Sequence, residues 1–160
     1  METVTRTQWR SQLGDFSSIV CFKAVIVGVE EALGAKAAAI ALTTAGRVRG
    51  KQLASSLGLD SRQTSLAEAE SAIRQALGPE GTRLLILEKI AQDGEVLRIY
   101  TRETVCSAGE PEGSPRKCTF TLGAIWGALE VLMGRRYLGR QIDSVLQGGQ
   151  YDTFELTPIA

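Results

Sequence analysis

The chain has 160 residues, with 18 Lys plus Arg, 18 Asp plus Glu and no His, so its formal net charge at pH 7 is zero. A chain of this length most often forms one domain, which buries about 70% of its unfolded surface. The charge balance argues against nucleic acid and anionic membranes as partners. The missing histidine excludes Ser-His-Asp and Cys-His catalysis, His-ligated haem and His-bearing zinc sites.

The N-terminal stretch "METVTRTQWRSQLGDF" lacks the apolar segment of a secretory signal. We interpret residues 1–16 as an extension and residues 17–157 as the body of a single domain, 1–160. Cys21, Cys106 and Cys118 are an odd number of cysteines without paired spacing, which is typical of free thiols in a reducing compartment. The sequence therefore predicts a cytoplasmic protein.

Three helices come first in the chain. "DFSSIVCFKAVIVGVEEALG" predicts a helix that is capped near Ser17 or Ser18 and ends at its last glycine. The Ala-rich run "AKAAAIALTTAGRVRGKQLASSLG" predicts a second helix, which also ends near a glycine. In "TSLAEAESAIRQALG", Ser65 and Glu68 have the spacing of a capping box and predict the start of a third, amphipathic helix.

A hairpin and a loop follow the helices. "TRLLILEKIAQDGEVLRIYTRETV" predicts two strands joined at Asp93-Gly94, a pair that tolerates the positive φ of a tight turn. Gly, Pro and Ser predict an irregular loop over residues 106–117. Cys106 and Cys118 flank this loop, and we favour two free thiols, with Cys118 buried at a helix start. A disulfide formed under oxidation is the alternative.

A fourth helix, from about Thr119 to Met133, and a second hairpin through Gly148-Gly149 complete the chain. The order is therefore three helices, a hairpin, one helix and a hairpin. Tight connections join neighbouring strands in opposite directions. We predict an α+β fold in which a four-stranded antiparallel sheet packs on a layer of about four helices.

The fourth helix is apolar on every side, because Glu130 is the one charged residue in the 16-residue run "CTFTLGAIWGALEVLM". A membrane span requires about 20 residues, so we predict no transmembrane segment. The helix is either buried among the helices and sheet of its own monomer or dimer, or one wall of an apolar ligand cavity. Gly123 and Gly127 lie four residues apart on a face where another backbone can come close. The first helix is nearly as apolar, which favours a cavity, a dimer interface or both.

The candidate acid–base residues are Asp143, Asp152 and Glu155, which fall in or near the last two strands. Surface strands carry such residues routinely, so we predict no catalytic residue. The run "GRVRGKQLASSLG" lacks the strand–loop–helix order of a phosphate-binding loop. Three cysteines cannot alone form a four-thiolate zinc site. We therefore predict neither a cofactor nor a metal.

The run "CTFTLGAIWGALEVLMGRR", followed by "IDSVLQGGQYDTFEL", resembles the 4-vinyl reductase domain family. That family is often described as hydrocarbon-binding and is related to the small subunits of the TRAPP vesicle-tethering complex. The spacing of Gly34, Gly46 and Gly50 fits the helix pair that opens such domains. The resemblance, over about Ser17 to Leu156, implies a four-stranded antiparallel sheet on one side of a helical layer. It also implies a hydrophobic channel for an acyl chain or another small apolar molecule, and often a homodimer formed through helices.

The chain departs from this family at three points. Many members carry a Cys-x3-Gly-x3-Cys-x-Phe pattern on the last hairpin, where this chain has Ser144 and Asp152, so the resemblance does not extend to a zinc site there. No cysteine lies between Ala35 and Gly58, where tethering relatives hold palmitate, and no histidine is present for the haem of related nitric-oxide sensors. The family name suggests a reductase, although most members have no demonstrated chemistry.

We therefore hypothesise a non-enzymatic domain that holds a small hydrophobic ligand, such as an acyl chain, in an apolar cavity within a homodimer. The alternatives are a protein-interaction or scaffold module with a fully packed core, and a small enzyme acting on an apolar substrate. The predicted cavity walls are apolar residues of the first and fourth helices: Phe22, Val25, Ile26, Val29, Ile125, Trp126, Leu129 and Leu132.

Overall fold

The structure is a computed structural model that describes residues 9–160. Residues 1–8, half of the predicted N-terminal extension, lie outside the described residues. The helices are α1 (Ile19–Leu33), α2 (Ala35–Ser56), α3 (Leu66–Leu77) and α4 (Phe120–Met133). The strands are β1 (Ile86–Asp93), β2 (Val96–Arg102), β3 (Tyr137–Asp143) and β4 (Asp152–Pro158).

The four strands form one antiparallel sheet in the order β1-β2-β4-β3. The predicted α+β fold, with its element order, is thereby confirmed. The last strand lies inside the sheet, because β4 pairs with β2 on one side and with β3 on the other. The connection between β3 and β4 is longer than a tight turn, since a short 3-10 helix, Val145–Gln147, occupies it before Gly148 turns the chain with a φ of 87°.

Side-chain caps form the predicted starts of α1 and α3. The Ser18 hydroxyl accepts a hydrogen bond from the Val20 amide, which satisfies one of the free N–H groups at the start of α1. At α3, the Glu68 amide donates to the Ser65 hydroxyl (3.2 Å), and the Ser65 amide donates to the Glu68 carboxylate (2.7 Å). This reciprocal pair is a capping box. Both caps were predicted from local sequence because their partners lie within three residues.

Helix α4 lies in the middle of the domain, and ten of its residues are buried. One side packs on α2 backbone to backbone: a Cβ added at Gly123 would lie 2.9 Å from the Arg47 nitrogen, and one at Gly127 would lie 2.9 Å from the Arg47 carbonyl carbon. The other side carries Ile125 and Leu129, both fully buried. The apolar circumference of α4 is thus covered by its own chain.

Cys106 and Cys118 form a disulfide, so the prediction of two free thiols was wrong. The intervening loop folds back on itself and brings the two Cα atoms to 5.1 Å, within the range that a disulfide requires. The prediction that Cys118 is buried holds, and Cys106 is buried as well. Cys21 is an exposed free cysteine on α1. A separation of 12 residues across an irregular loop gave no basis for predicting this proximity.

In the part of the chain that the structure describes, none of the helices combines the length and the hydropathy that spanning a bilayer requires.

Candidate functional site

Helix α1 is attached at the edge of the domain by few apolar contacts. Ile26 is its one buried residue, and the Phe22 ring meets the Phe120 ring edge to face with 4.8 Å between centroids. Val29 is half-buried, whereas Val25 is 57% exposed. The inner side of α1 therefore has apolar residues, but only a small part of that surface is sealed against the core.

Polar contacts make up much of the attachment of α1. The Lys23 ammonium donates to three carbonyl oxygens, those of Val105 (3.1 Å), Cys106 (2.6 Å) and Ala108 (3.1 Å). It also pairs with Glu110 at 3.0 Å. The hydrogen bond from Lys23, with the neighbouring positive charges, holds the pKa of Glu110 below its usual value. Lys23 therefore binds α1 to the start of the loop 106–117.

A second ion pair joins the far end of the same loop to α1. The Arg116 guanidinium lies 2.9 Å from the Glu30 carboxylate of α1 and also pairs with Glu110 within the loop. All three side chains are more than three-quarters buried, so water screens these charges less than it screens a surface pair. Lys23 and Glu30 are seven residues apart, which places them on one face of the helix.

Beneath the loop lies a small buried polar cluster around Asp152. Its carboxylate accepts hydrogen bonds from the Thr104 hydroxyl (2.6 Å), the Ser107 hydroxyl (2.7 Å) and the Val145 amide (3.1 Å). Ser144 caps the 3-10 helix through its hydroxyl. The two positions that carry cysteines in the family pattern therefore hold hydrogen-bonding groups of the chain itself. Among residues 9–160, no group of three or more His, Cys, Asp or Glu side chains is arranged to hold a metal ion.

The candidate acid–base carboxylates Asp152 and Glu155 do not share one site, and Asp143 accepts a hydrogen bond from the Ser144 amide at 2.9 Å. Asp152 points to the inner side of the sheet, towards the buried Thr104 hydroxyl. Glu155 lies three positions after Asp152 on the same strand, so its side chain points to the opposite side of the sheet. There it pairs with Arg98 and Arg140. Arg140 in particular lowers the pKa of Glu155 from its usual value. This separation follows from the two-residue period of a strand.

Seven of the eight predicted wall residues lie in or against one continuous apolar core. Ile26, Ile125, Leu129 and Leu132 are buried members of that core, and Phe22, Val29 and Trp126 pack against it. Val25 is the exception. The Trp126 ring is in contact with other residues of the same chain. Its Nε1 donates a hydrogen bond to the Tyr137 carbonyl (2.9 Å), and the Arg47 guanidinium lies 4.2 Å from the ring centre.

Two concavities of the described surface lie elsewhere, around the turn between α3 and β1. One is lined by Pro79, Glu80, Arg83, Leu85, Ile86 and Glu103, and the other by Ser71, Arg74, Gln75, Pro79 and Glu80. Both are shallow and bordered by charged side chains, and none of the eight predicted wall residues lines either of them.

This geometry defines an α+β domain whose single antiparallel sheet is covered on one side by helices, with one helix attached at the edge by a loop. No family model and no curated protein matches the sequence. Among solved structures, the phenol-responsive sensory domain of the transcription activator PoxR, determined with phenol, is similar at a TM-score of 0.71 and 14% identity. The match covers 94% of this chain and 79% of that one.

Two further structures have the same arrangement. Trafficking protein particle complex subunit 3 from Naegleria fowleri, covalently bound to palmitic acid, has a TM-score of 0.57 and 14% identity, over 89% of this chain and 98% of that one. A vinyl-4-reductase family protein from Methanocaldococcus jannaschii has a TM-score of 0.50 and 16% identity, over 88% and 79%. At these identities the likeness is one of fold, and it confirms the resemblance inferred from sequence at that level. The first of these structures is a sensory domain, and the second is a subunit of a trafficking complex.

Sequence reasoning missed the contacts that hold the loop to α1. Lys23 was the one charged residue in the apolar middle of the first helix, and this isolation was the available signal. Its partners are main-chain carbonyl oxygens more than eighty residues away, which carry no sequence signature. Glu130, the lone charge of α4, was noticed, but its partner Arg47 on α2 was not predicted.

Proposed function

We propose that this domain binds a small apolar molecule between α1 and the core beneath it. The observation that carries the proposal is the likeness, over 94% of this chain, to a sensory domain whose structure contains phenol. A second fold relative holds the alkyl chain of palmitic acid. The site in this chain is the inner side of α1, where Phe22, Ile26 and Val29 are apolar and two of them are only partly sealed.

The energetics allow such a ligand without a charged partner. Burial of an alkyl chain contributes about 0.8 kcal/mol per methylene group. Ten methylenes therefore give roughly 8 kcal/mol before the entropic cost of association is subtracted. Opening of α1 would cost less than opening of any other helix, because Ile26 is the only residue of α1 that is fully buried.

Replacing Phe22 with alanine is expected to weaken binding of a phenol or fatty-acid probe about tenfold, the loss of roughly 1.4 kcal/mol of contact. Phe22 and Phe120, whose rings contact each other, would form the aromatic side of the site. Isothermal titration with phenol and with palmitate, after solvent extraction of the purified protein, measures the affinity. Native mass spectrometry before extraction reports any molecule retained from the cell.

The matched control is Val20→Ala on the same helix, because Val20 is 74% exposed on the outer side of α1. This variant should bind both probes as the wild type does. Equal affinity of the two variants would contradict a site on the inner side of α1. A native mass equal to that of the chain alone, together with no heat change on titration of either probe, would contradict the binding function itself.

We further propose that two copies associate through the outer sides of α1 and α2. These sides are apolar and largely small: the exposed residues include Cys21, Ala24, Val25, Gly28 and Ala32 on α1, and Ala37, Ile40, Ala41, Thr44 and Val48 on α2. An apolar surface that spans two helices of a small domain is typical of an interface with another protein. A second copy fits it because close packing of small residues needs no charge complementarity.

Replacing Ile40 with glutamate is expected to convert a dimer into a monomer. Ile40 is 67% exposed at the centre of this α2 surface, and its replacement would bury an unpaired carboxylate at the interface. Sedimentation velocity measures the mass. Leu138→Glu is the control: Leu138 is 60% exposed on β3, away from α1 and α2, and this variant should stay dimeric. A monomeric wild type, or a dimeric Ile40 variant, would contradict the proposal.

The burial of most of α4 within its own chain favours a second candidate function, an interaction module that docks other proteins and holds no ligand. A protein that dimerises, binds neither probe and captures a defined partner would support this second function. For either function we propose the cytoplasm as the compartment, where disulfides in proteins are typically transient and redox-responsive.

A further inference from the structure

The Cys106–Cys118 disulfide lies at the junction of four parts of the fold. It closes the loop 106–117, Cys118 lies two positions before the start of α4, and the Asp152 cluster of β4 lies beside it. The Cys106 carbonyl is also the closest of the three oxygens that bind Lys23 of α1, at 2.6 Å. A change in the state of this bond would therefore act on the contact that attaches α1.

The domain does not need this bond to compensate for a small core. Disulfides stabilise small domains that bury too little apolar surface, whereas this chain buries apolar residues from all four helices and from the sheet. The position of the bond also differs from that of a staple between distant elements, because it closes a loop of the same chain segment with a separation of 12 residues. A bond in this position therefore controls the conformation of the loop 106–117 more than it joins separate elements.

Reduction would move the two sulfurs apart within a closely surrounded site. Two thiol sulfurs stand about 1.5 Å further apart than two bonded sulfurs. Both sulfurs are buried and closely surrounded: the Thr104 hydroxyl lies 3.3 Å from Cys106 Sγ and 3.5 Å from Cys118 Sγ, and the Thr121 hydroxyl lies 3.9 Å from Cys106 Sγ. Thr121 belongs to the central helix α4, so the loop 106–117 is the part of the wall free to move.

Movement of the loop would release α1. Lys23 binds three carbonyl oxygens at the start of the loop, and Arg116 near its end pairs with Glu30 of α1. These contacts depend on the folded path of the loop, because main-chain oxygens converge on one ammonium only when the local turn is intact. With them lost, α1 would be held mainly by Ile26 and by the contact between the Phe22 and Phe120 rings.

We propose that the Cys106–Cys118 disulfide is a redox switch that controls how tightly α1 is attached to the domain. A dithiol reductant breaks the S–S bond: two electrons and two protons pass to the cysteines, which become thiols, and the reductant is oxidised to a disulfide. The reduced loop then loosens and α1 detaches more readily. That this controls entry of an apolar ligand rests on the function proposed above, whereas control of α1 does not.

Hydrogen exchange measured by mass spectrometry on the full chain tests the switch. Labelling of thiols in unfolded samples should find one reactive cysteine in the oxidised protein and three after treatment with dithiothreitol. Reduction should speed amide exchange about tenfold in residues 19–33 and 107–117, and leave α3 unchanged. Three reactive thiols in the oxidised protein, or the same α1 exchange in both states, would overturn the proposal.

A Lys23→Met variant separates the switch from a general loss of stability. In this variant α1 should exchange rapidly in both redox states, while the loop 107–117 still responds to reduction. Lys36→Met, an exposed lysine at the start of α2, is the matched control and should behave as the wild type. A redox response of α1 that persists in the Lys23 variant would overturn the assignment of Lys23 as the connection.

Stopped-flow mixing with phenol and with palmitate in both redox states tests the link to ligand entry. Faster association after reduction supports it, and equal association rates in the two states overturn it. If neither probe binds in either state, the proposed ligand function fails, while the exchange experiment still decides the switch. The Cys106→Ser, Cys118→Ser double variant should reproduce the exchange of the reduced protein without any reductant.

Discussion

Replacing Gly127 with alanine is expected to destabilise the domain by about 3 kcal/mol, although alanine is the better helix former. The added Cβ would overlap the Arg47 carbonyl oxygen and lie 2.9 Å from its carbonyl carbon and 3.0 Å from its Cα. All three atoms belong to the α2 backbone, which cannot move aside as a flexible side chain can. The two helices would have to separate along their whole contact to admit one methyl group.

The matched control for Gly127→Ala is Gly28→Ala. Gly28 is also a helical glycine, but a Cβ built there has no atom within 4 Å. This variant should gain about 0.5–1 kcal/mol from the lower backbone entropy of its unfolded state. Because Gly28 lies on the proposed dimer surface, urea denaturation followed by circular dichroism measures both free energies of unfolding at protein concentrations where the chain is monomeric. A change of the same sign in the two variants would show that the α2–α4 contact is not set by its glycines.

The contact between α2 and α4 uses glycines from both helices. A Cβ added at Gly46 would lie 3.0 Å from the Ala124 nitrogen, and one at Gly50 would lie 2.9 Å from the Ala128 nitrogen. Gly123 and Gly127 complete the contact from the α4 side. The sequence predicted the close-packing face of α4, because four-residue spacing is a local property. It did not identify α2 as the partner, since pairing of two helices depends on the path of the whole chain.

The sequence predicted only part of the location of the surplus apolar surface, because it named the first helix but not α2. The apolar circumference of α4 suggested surplus surface there, but α4 lies between α2 and the sheet and is covered. The exposed apolar surface lies on α1 and α2, at residues such as Val20 and Ile40. The alanines of α2 conceal this in the sequence, because a helix of small residues has a low mean hydropathy even where one side is apolar.

Local signals predicted the elements, and long-range contacts account for what was missed. Helix caps, the Asp93-Gly94 turn and the alternation of buried residues are decided within a few residues of sequence. The disulfide, the carbonyl oxygens that bind Lys23 and the insertion of β4 between β2 and β3 join segments that the fold brings together. The candidate site depends on this second kind of contact, since the loop 106–117 provides much of the attachment of α1 to the domain.

Glu130 is expected to contribute about 2 kcal/mol of stability at neutral pH, measured as the loss in a Glu130→Gln variant. Its carboxylate is buried and accepts hydrogen bonds from Arg47 Nη2 (2.6 Å) and the Tyr137 amide (3.1 Å), with Lys51 at 3.6 Å. Glutamine keeps the shape but leaves the Arg47 charge without its partner. The Arg47 side chain is 34% exposed, which places the loss below that of a fully buried ion pair.

The contribution of Glu130 to the free energy of unfolding decreases as the pH falls. Burial acts to raise the pKa of Glu130, but the hydrogen bonds from Arg47 and the Tyr137 amide outweigh it and lower the pKa below its usual value. The folded state therefore binds the proton less readily than the unfolded state, and the contribution of Glu130 is complete above the unfolded pKa. It is lost as the pH falls through the folded pKa. The difference between wild type and Glu130→Gln should thus be largest at pH 7 and shrink towards about pH 3.

Glu95→Gln is the control for this experiment, because Glu95 makes the same kind of ion pair with Arg135 on the surface. Both side chains are exposed, so this variant should lose less than about 0.5 kcal/mol at any pH. Urea denaturation at a series of pH values between 3 and 7 gives the two curves. Parallel curves for the two variants would contradict a special role for Glu130. A deficit confined to Glu130→Gln at neutral pH would identify this single charge in α4 as the polar attachment between α4, α2 and the start of β3.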